Sequence, residues 1–499
     1  MTSSGTDDSV DILVVGGGIN GAGIARDAAG RGFRVMLVEQ DDLASHTSSA
    51  STKLIHGGLR YLEFMEFGLV RKALLEREVL LDIAPHIISP LRFVMPHEPS
   101  LRPAWMIRTG LFLYDHLARR RKLEGSRSID LRRHPAGTPL RSGFQRGFEY
   151  SDGWVDDARL VVLNALDAQE HGAIVKTRTR CSEVRPHANG WHATLVDDEG
   201  RSSTVEAQLV VNATGPWAAS FHDSATPGRA RHGLRLIKGS HIVVRKLFDH
   251  PYAYILQASD RRIVFAIPYE REFTLIGTTD IEYHEDPRSV TIAAAETTYL
   301  CEQANRYFTS TITPADVVST WSGVRPLLED ESADARAVTR DYALELTREP
   351  AALLSVFGGK ITTYRALAEE AVDRIGAALG RRHPSWTGSQ PLPGGDLPTS
   401  LDVFAQELAR SFPQIARDVL HRLAAAYGTR TLNILRDPAG LGLEVATGLY
   451  EAELRYLCRV EWARTGEDVL WRRSKLGLHL DPAMRQRVAD WMATNGRLS

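Results

Sequence analysis

The chain has 499 residues, 43% of them hydrophobic and 24% charged, which suits two or three globular domains and excludes a disordered or fibrous chain. Its 60 Lys plus Arg against 62 Asp plus Glu leave a net charge of −2, too balanced for bulk nucleic-acid binding, although a local cationic pocket for a small anion stays open. Cys181, Cys301 and Cys458 are far apart and form no C-x-x-C, so neither a zinc ribbon nor a dithiol site is expected, and no metal ligands are assigned. Three free thiols fit a reducing cytoplasm. The first ten residues lack the basic start and apolar stretch of a signal peptide. No apolar run reaches the roughly 18 residues of a spanning helix, so membrane contact is expected to be peripheral at most.

Val10 to Val15 is a short β-branched run ending in glycines and reads as a buried parallel strand. Ile19 to Gly32, rich in Ala and Gly, reads as a helix, and Arg34 to Glu39 as a second strand, which completes a β-α-β unit. Glu63 to Leu81 places Phe67, Val70, Leu74 and Leu81 among charges, as a long amphipathic helix does. Two strands flank the hairpin signal Asp197-Asp198-Glu199-Gly200. Residues 234–280 alternate apolar and polar as a twisted antiparallel sheet. Leu353 to Phe357, then Gly358-Gly359-Lys360, repeats the strand–glycine–helix pattern. Pro384 to Pro398 is the linker candidate, and beyond it Ile415, Val419 and Leu423, then Leu454 and Leu457, fall at helical spacing. The expected class is α/β plus α+β. A Rossmann-like domain with a parallel sheet is expected over 10–80, 150–232 and 350–383. An inserted antiparallel-sheet substrate or cap domain is expected over 81–149 and 233–349, and a helical C-terminal domain over 384–499.

Gly16, Gly18 and Gly21 satisfy G-x-G-x-x-G after a strand and before a helix. The first permits a tight turn, the second lets a pyrophosphate approach the backbone, and the third lets helix and strand pack. Glu39 ends the second strand, where a carboxylate binds the two hydroxyls of an adenosine ribose. The late strand ending Ala213-Thr214-Gly215 favours FAD over NAD. Thr47, Ser48, Thr52 and Lys53 stand in a hydroxyl-rich loop whose small donors suit phosphate and flavin edges. Four further blocks set a cation or imidazole beside glycine or proline: His56, Arg60 and Tyr61 in LIHGGLRYLE; Lys238-Gly239-Ser240-His241; Ser322 to Pro326 around Arg325; and Gly358 to Tyr364 around Lys360. Their convergence would make a site for a small anion, with Arg suited to phosphate or carboxylate.

GGGINGAGIARDAAGRG, TSSASTKLIHGGLRYLE, RGFEYSDGWVDDARL, VNATGPW, IKGSHIVV, IGTTD, SGVRPL and SVFGGKITTYR together resemble the FAD-dependent respiratory glycerol-3-phosphate dehydrogenases of bacteria, from about residue 10 to the C-terminus. The resemblance implies oxidation of sn-glycerol 3-phosphate to dihydroxyacetone phosphate, electron delivery to membrane quinone, and a fold related to the amino-acid oxidases. It implies a cytoplasmic protein, peripheral on the inner face of the cell membrane; homodimerisation stays open. Such a reaction needs a base, and His56 and His241 are the candidates, since imidazole titrates near neutral pH. Arg325 would hold the alcohol oxygen or the phosphate, with Arg60, Tyr61 and Lys360 as further anion-binding residues. Gly215, Gly359, Lys360 and Thr362 are expected beside the cofactor. His46, before the Thr-Ser-Ser loop, is expected to be a solvated loop histidine rather than a covalent flavin attachment.

The alternatives are a glycerol-3-phosphate oxidase passing electrons to oxygen, an amine or amino-acid oxidase, and, from another class, a flavin-containing RNA-binding or RNA-modifying protein. The cations weigh against the second and the balanced charge against the third. For membrane docking two segments mix basic and apolar residues: Arg102 to Arg121 and Trp471 to Leu476.

Overall fold

The computed structural model describes residues 9–98, 102–188, 190–258, 260, 262–329 and 341–496. The apolar run at the start forms the strand Ser9–Val15, which lies parallel to Val35–Val38 on one side and to Ser202–Asn212 on the other. Ile174–Lys176 and Ala352–Gly358 extend this parallel sheet, and Tyr342–Thr347 closes it antiparallel at one edge. Helix α1 (Ile19–Gly30) covers one face, packing its Ala22, Ala25 and Ala28 on Ile12, Val14 and Leu37. Small residues let it lie close: a Cβ on Gly21 would sit 1.9 Å from the Gly16 carbonyl oxygen. The helix stops short of its expected end at Gly32, whose φ of +82° is left-handed.

The second sheet is built on Leu234–Arg245. This strand pairs with Phe273–Gly277 on one side and with Val317–Leu328 on the other, both antiparallel. Ile263–Tyr269, Ala253–Gln257, Ile88–Pro96, Arg146–Val155 and Leu54–Ile55 extend it, and the short strands Arg127–Asp130 and Ile281–Glu282 complete it. Some expected boundaries shift. Arg146–Val155 runs past residue 150 within this sheet, and Leu54–Ile55 joins it from the range expected in the first domain. Tyr342–Thr347, expected in the cap range, pairs in the first sheet. Alternating residues announce a strand; the backbone partner that claims it lies elsewhere in the chain.

The helix expected from Glu63 begins as a 3-10 turn, Leu59–Phe64, interrupted at Met65 (φ +61°), and continues as α2 (Phe67–Ile83). Helix α3 (Ala104–His116) lies on the outside of the second sheet and buries Ile107, Leu111 and Tyr114 at i, i+4, i+7. Past the linker, Leu401–Ser411, Arg417–Tyr427, Glu451–Val460 and Pro482–Asn495 surround a core of their own, with Leu420, Leu423, Leu454 and Leu457 at its centre. Ile415 is buried in it but precedes its helix. Buried ion pairs lock this helical unit to the rest. Arg473 reaches Asp42 through two bonds of 2.7 and 2.8 Å, Arg178 reaches Asp468 at 2.8 Å, and Arg159 reaches Glu461. Losing one partner of such a pair costs about 3–5 kcal/mol. Among the described residues no helix is long and apolar enough to cross a membrane.

Candidate functional site

The glycine-rich turn lies at the C-terminal end of the parallel strands, where such sheets bind ligands. Gly16 has φ +111°, and a Cβ there would come within 2.5 Å of the Ala213 carbonyl oxygen. Gly18 differs: its φ of −79° is open to any residue, and a Cβ would meet only Ser48 Oγ, at 3.1 Å. Local backbone strain therefore does not require glycine at 18; a ligand approaching the start of α1 does. Ser48 Oγ accepts the N–H of Ile19 at 3.0 Å, so its hydroxyl stands at that helix N-terminus.

Glu39 is buried and accepts the N–H groups of Gly17 (2.6 Å) and Asp41 (2.9 Å). Burial pushes its carboxyl up, and those two N–H groups pull it back in part. Ribose hydroxyls donated to it would complete the compensation. A cavity of about 330 Å³ is lined by Gly16, Gly18, Glu39, Ser48, Gly215 and Trp217. A second of about 460 Å³ adjoins it and shares Ser45, His46, Thr47, Pro216, Trp217 and Arg288. Glycine cradle, helix N-terminus, buried carboxylate and groove fit an FAD held with its adenosine end at Glu39. His46 is not simply a solvated loop residue: it bonds Asp41 at 2.9 Å and packs edge-on to Trp217 at the rim of both cavities.

The loop after the second strand carries this groove to the other sheet. Thr47 Oγ1 donates to the Val324 carbonyl (2.7 Å), and Thr52 Oγ1 bonds His241 Nε2 (2.9 Å). Lys53, expected to face the cofactor, instead has its ammonium on Asp157 (2.7 Å) and the Ser49 carbonyl (3.1 Å); it anchors the loop from behind, 4.9 Å from the centre of the Trp321 ring.

The blocks holding His241 and Arg325 pair as neighbouring strands. His241 stands opposite Trp321, Gly239 opposite Gly323 and Ile237 opposite Arg325, so these residues share one face. Glycine at 239 makes room for the guanidinium, whose Nη2 would lie 2.5 Å from a Cβ. Arg325 donates to the Thr279 carbonyl (2.9 Å) and to Asp280 (2.6 Å). His241 stacks on Trp321, centroids 5.4 Å apart, and its Nδ1 has no hydrogen bond among the described residues. Burial, with the charges of Arg325 and Lys53, holds its imidazole neutral well below the usual range. Lys238 departs from expectation. Three residues from His241 along a strand, it points to the opposite face and pairs with Glu296 at 2.7 Å, beneath Ser240 and Thr279.

The remaining blocks meet beside this pair. A Cβ on Gly358 would lie 3.6 Å from the Pro326 carbonyl oxygen, and the Asn20 amide donates to the Gly358 carbonyl at 3.2 Å. Gly359, at φ +97°, would press a Cβ to 3.0 Å from that amide. Thr362 Oγ1 accepts the N–H of His56 at 3.2 Å, and Lys360 Nζ lies 4.0 Å from the Tyr61 ring centre. Arg60 belongs to the same 3-10 turn as Tyr61. His56, Tyr61, His241, Arg325 and Lys360 line neither cavity described above. Trp321, Asp280 and Asn20 were not singled out from the sequence. Trp321 had a signal: it stands four residues from Arg325 and therefore on the same face of the strand. Gly18→Val should give folded protein that purifies without flavin absorbance; a folded variant with full flavin content would contradict the groove assignment.

Residues 11–365 match the model of the FAD dependent oxidoreductase family, and 385–497 that of the C-terminal domain of alpha-glycerophosphate oxidase. A glycerol-3-phosphate dehydrogenase of Pseudomonas aeruginosa is 53% identical over 97% of this chain and 94% of its own length. A D-erythritol 1-phosphate dehydrogenase of Brucella abortus is 48% identical over 97% of this chain and 98% of its own. The crystal structure of the glycerol-3-phosphate dehydrogenase from Bacillus halodurans complexed with FAD superposes with a TM-score of 0.81 at 28% identity, covering 99% of this chain and 92% of that one. With a cofactor groove of this form and relatives matched almost end to end, the chain belongs to the FAD-dependent oxidoreductase family, among its glycerol-3-phosphate dehydrogenases.

Proposed function

We propose that this chain oxidises sn-glycerol 3-phosphate to dihydroxyacetone phosphate with FAD and passes the electrons to a quinone at a membrane surface. The observation that carries the first half is the bond between Thr52 of the cofactor loop and a neutral His241 on the strand beside Arg325. Relatives named as dehydrogenases over nearly their whole length favour this reading over an oxygen-using oxidase.

Bound FAD supplies the two-electron acceptor for the alcohol carbon. His241 takes the hydroxyl proton at Nδ1, while Nε2–H points to Thr52 Oγ1. Desolvation leaves that imidazole neutral, hence able to accept, over the whole neutral range. Arg325 fixes the alcohol oxygen or the phosphate, held in place by Asp280 and the Thr279 carbonyl. Tyr61, Arg60 and Lys360 gather on the anion from the other side, and Thr362 steadies the His56 backbone. A second substrate fits the same chemistry: D-erythritol 1-phosphate also sets a secondary alcohol near a phosphate ester, and the Brucella relative carries that name.

Membrane docking rests on α3. Beyond its buried stripe it exposes Trp105 (71%), Phe112 (54%), Met106 and Leu113, beside exposed Phe64 and Met65. Large exposed apolar side chains clustered on one face mark an interaction surface, and an interfacial helix fits this one. The other candidate segment is a correction: Arg473 is fully buried on Asp42, Arg472 bonds Asp42 and Asp468, and Trp471 faces the second cavity. Arg120 and Arg121 pair with Asp115 and Asp82, so the aromatics are the cleaner target.

Arg325→Ala should keep its flavin and lose roughly a hundredfold in kcat/KM, the effect of removing about 2–3 kcal/mol of charge-assisted binding. In the wild type the acid limb of kcat/KM should lie below pH 6.5, because protonation of His241 is disfavoured; Arg325→Ala removes one opposing charge and should move the limb upward. A wild-type limb above 6.5, or unchanged kinetics in the variant, would sink these assignments. Anionic liposomes should float the wild type, while Trp105→Ser with Phe112→Ser should remain at the bottom with dye-linked activity intact. Wild-type protein that never floats contradicts the membrane reading.

A further inference from the structure

The loop bearing His56, Arg60 and Tyr61 is fastened from below by a buried hydrogen-bond chain. The N–H of Gly57 donates to Tyr114 Oη at 2.7 Å, and Tyr114 donates to Asp152 Oδ1 at 2.7 Å. Arg77 Nη1 donates to the same carboxylate oxygen at 2.5 Å and to the Ser151 carbonyl at 3.0 Å. Tyr114, Arg77 and Asp152 are at most 3% exposed. They come from α3, α2 and the cap strand Arg146–Val155.

The direction of the chain is fixed by chemistry. Burial pushes the Asp152 carboxyl up, and the Arg77 guanidinium bonded to it opposes that shift; facing this cation the carboxylate accepts, so the Tyr114 proton goes to Asp152, and the hydroxyl lone pairs face the Gly57 N–H. Bonds to a charged group are stronger and shorter than neutral ones, and burial strengthens these further. The arrangement explains glycine at 57: a Cβ would lie 2.6 Å from Tyr114 Oη and 2.5 Å from Leu74 Cδ2. One residue earlier, the His56 N–H bonds Thr362 Oγ1. The backbone at 56–57 is thus clamped between the Lys360 segment and the Tyr114 hydroxyl, and Lys360 reaches back over the Tyr61 ring. Gly58, at φ +78°, turns the chain directly from this clamp into the 3-10 turn of Arg60 and Tyr61.

We propose that Tyr114 and Asp152 are positioning residues that fix the Gly57 backbone and so set Arg60 and Tyr61 at the height the anionic substrate requires. This rests on the reading of residues 56–61 as a substrate loop. Neither side chain touches the cofactor groove, so the effect belongs to substrate affinity.

The test uses the FAD-loaded enzyme. Tyr114→Phe keeps the ring, which packs edge-on to Tyr150 at 6.1 Å and beside the Arg77 guanidinium at 5.7 Å, and removes only the hydroxyl. The variant loses both bonds of the hydroxyl and leaves the Gly57 N–H only its longer contact with Asp152 Oδ1, at 3.4 Å, so KM for glycerol 3-phosphate should rise about tenfold. kcat should change less than threefold, with flavin content and Tm near wild type; that split separates positioning from a merely structural role. Should Tyr114→Phe fold poorly, Asp152→Asn, which keeps an acceptor but loses the charge, should raise KM in the same direction. Lys360→Ala is run beside them. If Lys360→Ala raises KM and the Tyr114 and Asp152 variants do not, the positioning role is overturned and the substrate reading stands. If none of them alters KM, the substrate loop itself is misassigned and the proposal falls with it.

Discussion

The loop from Thr47 to Lys53 is bonded to chain-distant segments on every side, and the rest of the site depends on those bonds. Ser48 binds the start of α1, Thr47 the strand of Arg325, Thr52 the imidazole of His241, and Lys53 the carboxylate of Asp157. The first bond belongs to the cofactor groove, the second and third to the face of His241 and Arg325, and the last to the helix behind both. A loop held only by its own backbone would be mobile; this one joins the glycine-rich groove to the face of His241 and Arg325 through short polar bonds. Ala50 and Gly323 approach so closely that a Cβ on the glycine would lie 2.7 Å from the alanine Cβ. The loop lies directly on the strand of Arg325 there, with only the Ala50 methyl between the two backbones.

Much of the molecule's charge serves to hold such joints. Lys53–Asp157, Arg77–Asp152, Arg473–Asp42 and Arg159–Glu461 are buried, and each joins elements far apart in sequence. Buried pairs add little net stability against an apolar substitute, yet they tolerate only one partner geometry. That suits a protein whose site is assembled from segments as far apart as Asn20 and Gly358, 338 residues from each other. The helical C-terminal unit takes part through Arg472 and Arg473, which both end on Asp42, a few residues before the cofactor loop.

The nucleotide half was legible because its physics is local. Gly16, Gly18, Gly21 and Glu39 lie within one β-α-β unit, and steric need for glycine shows directly in the residue type. The substrate half was legible as blocks but not as contacts. The strand period of two already separates Lys238 from His241 and unites Trp321 with Arg325, so a stricter reading would have removed the first and found the second. Lys53 and the Trp471–Leu476 segment misled for a common reason: a cation in an attractive motif is as readily consumed by a buried carboxylate, and the partners Asp157 and Asp42 lie too far along the chain to be foreseen. The Tyr114–Asp152–Gly57 chain had no local signature, since each member comes from a different element.

If a phosphate-bearing secondary alcohol delivers its electrons to flavin held in this groove, that substrate alone must bleach the flavin. Anaerobic stopped-flow mixing of the yellow enzyme with glycerol 3-phosphate tests it most directly. The flavin absorbance should bleach in a single turnover at a rate that saturates with substrate, while glycerol, lacking the phosphate, leaves it oxidised. Flavin that stays oxidised with both glycerol 3-phosphate and D-erythritol 1-phosphate, or bleaches equally with glycerol, would rule out a phosphate-selective alcohol site beside this groove.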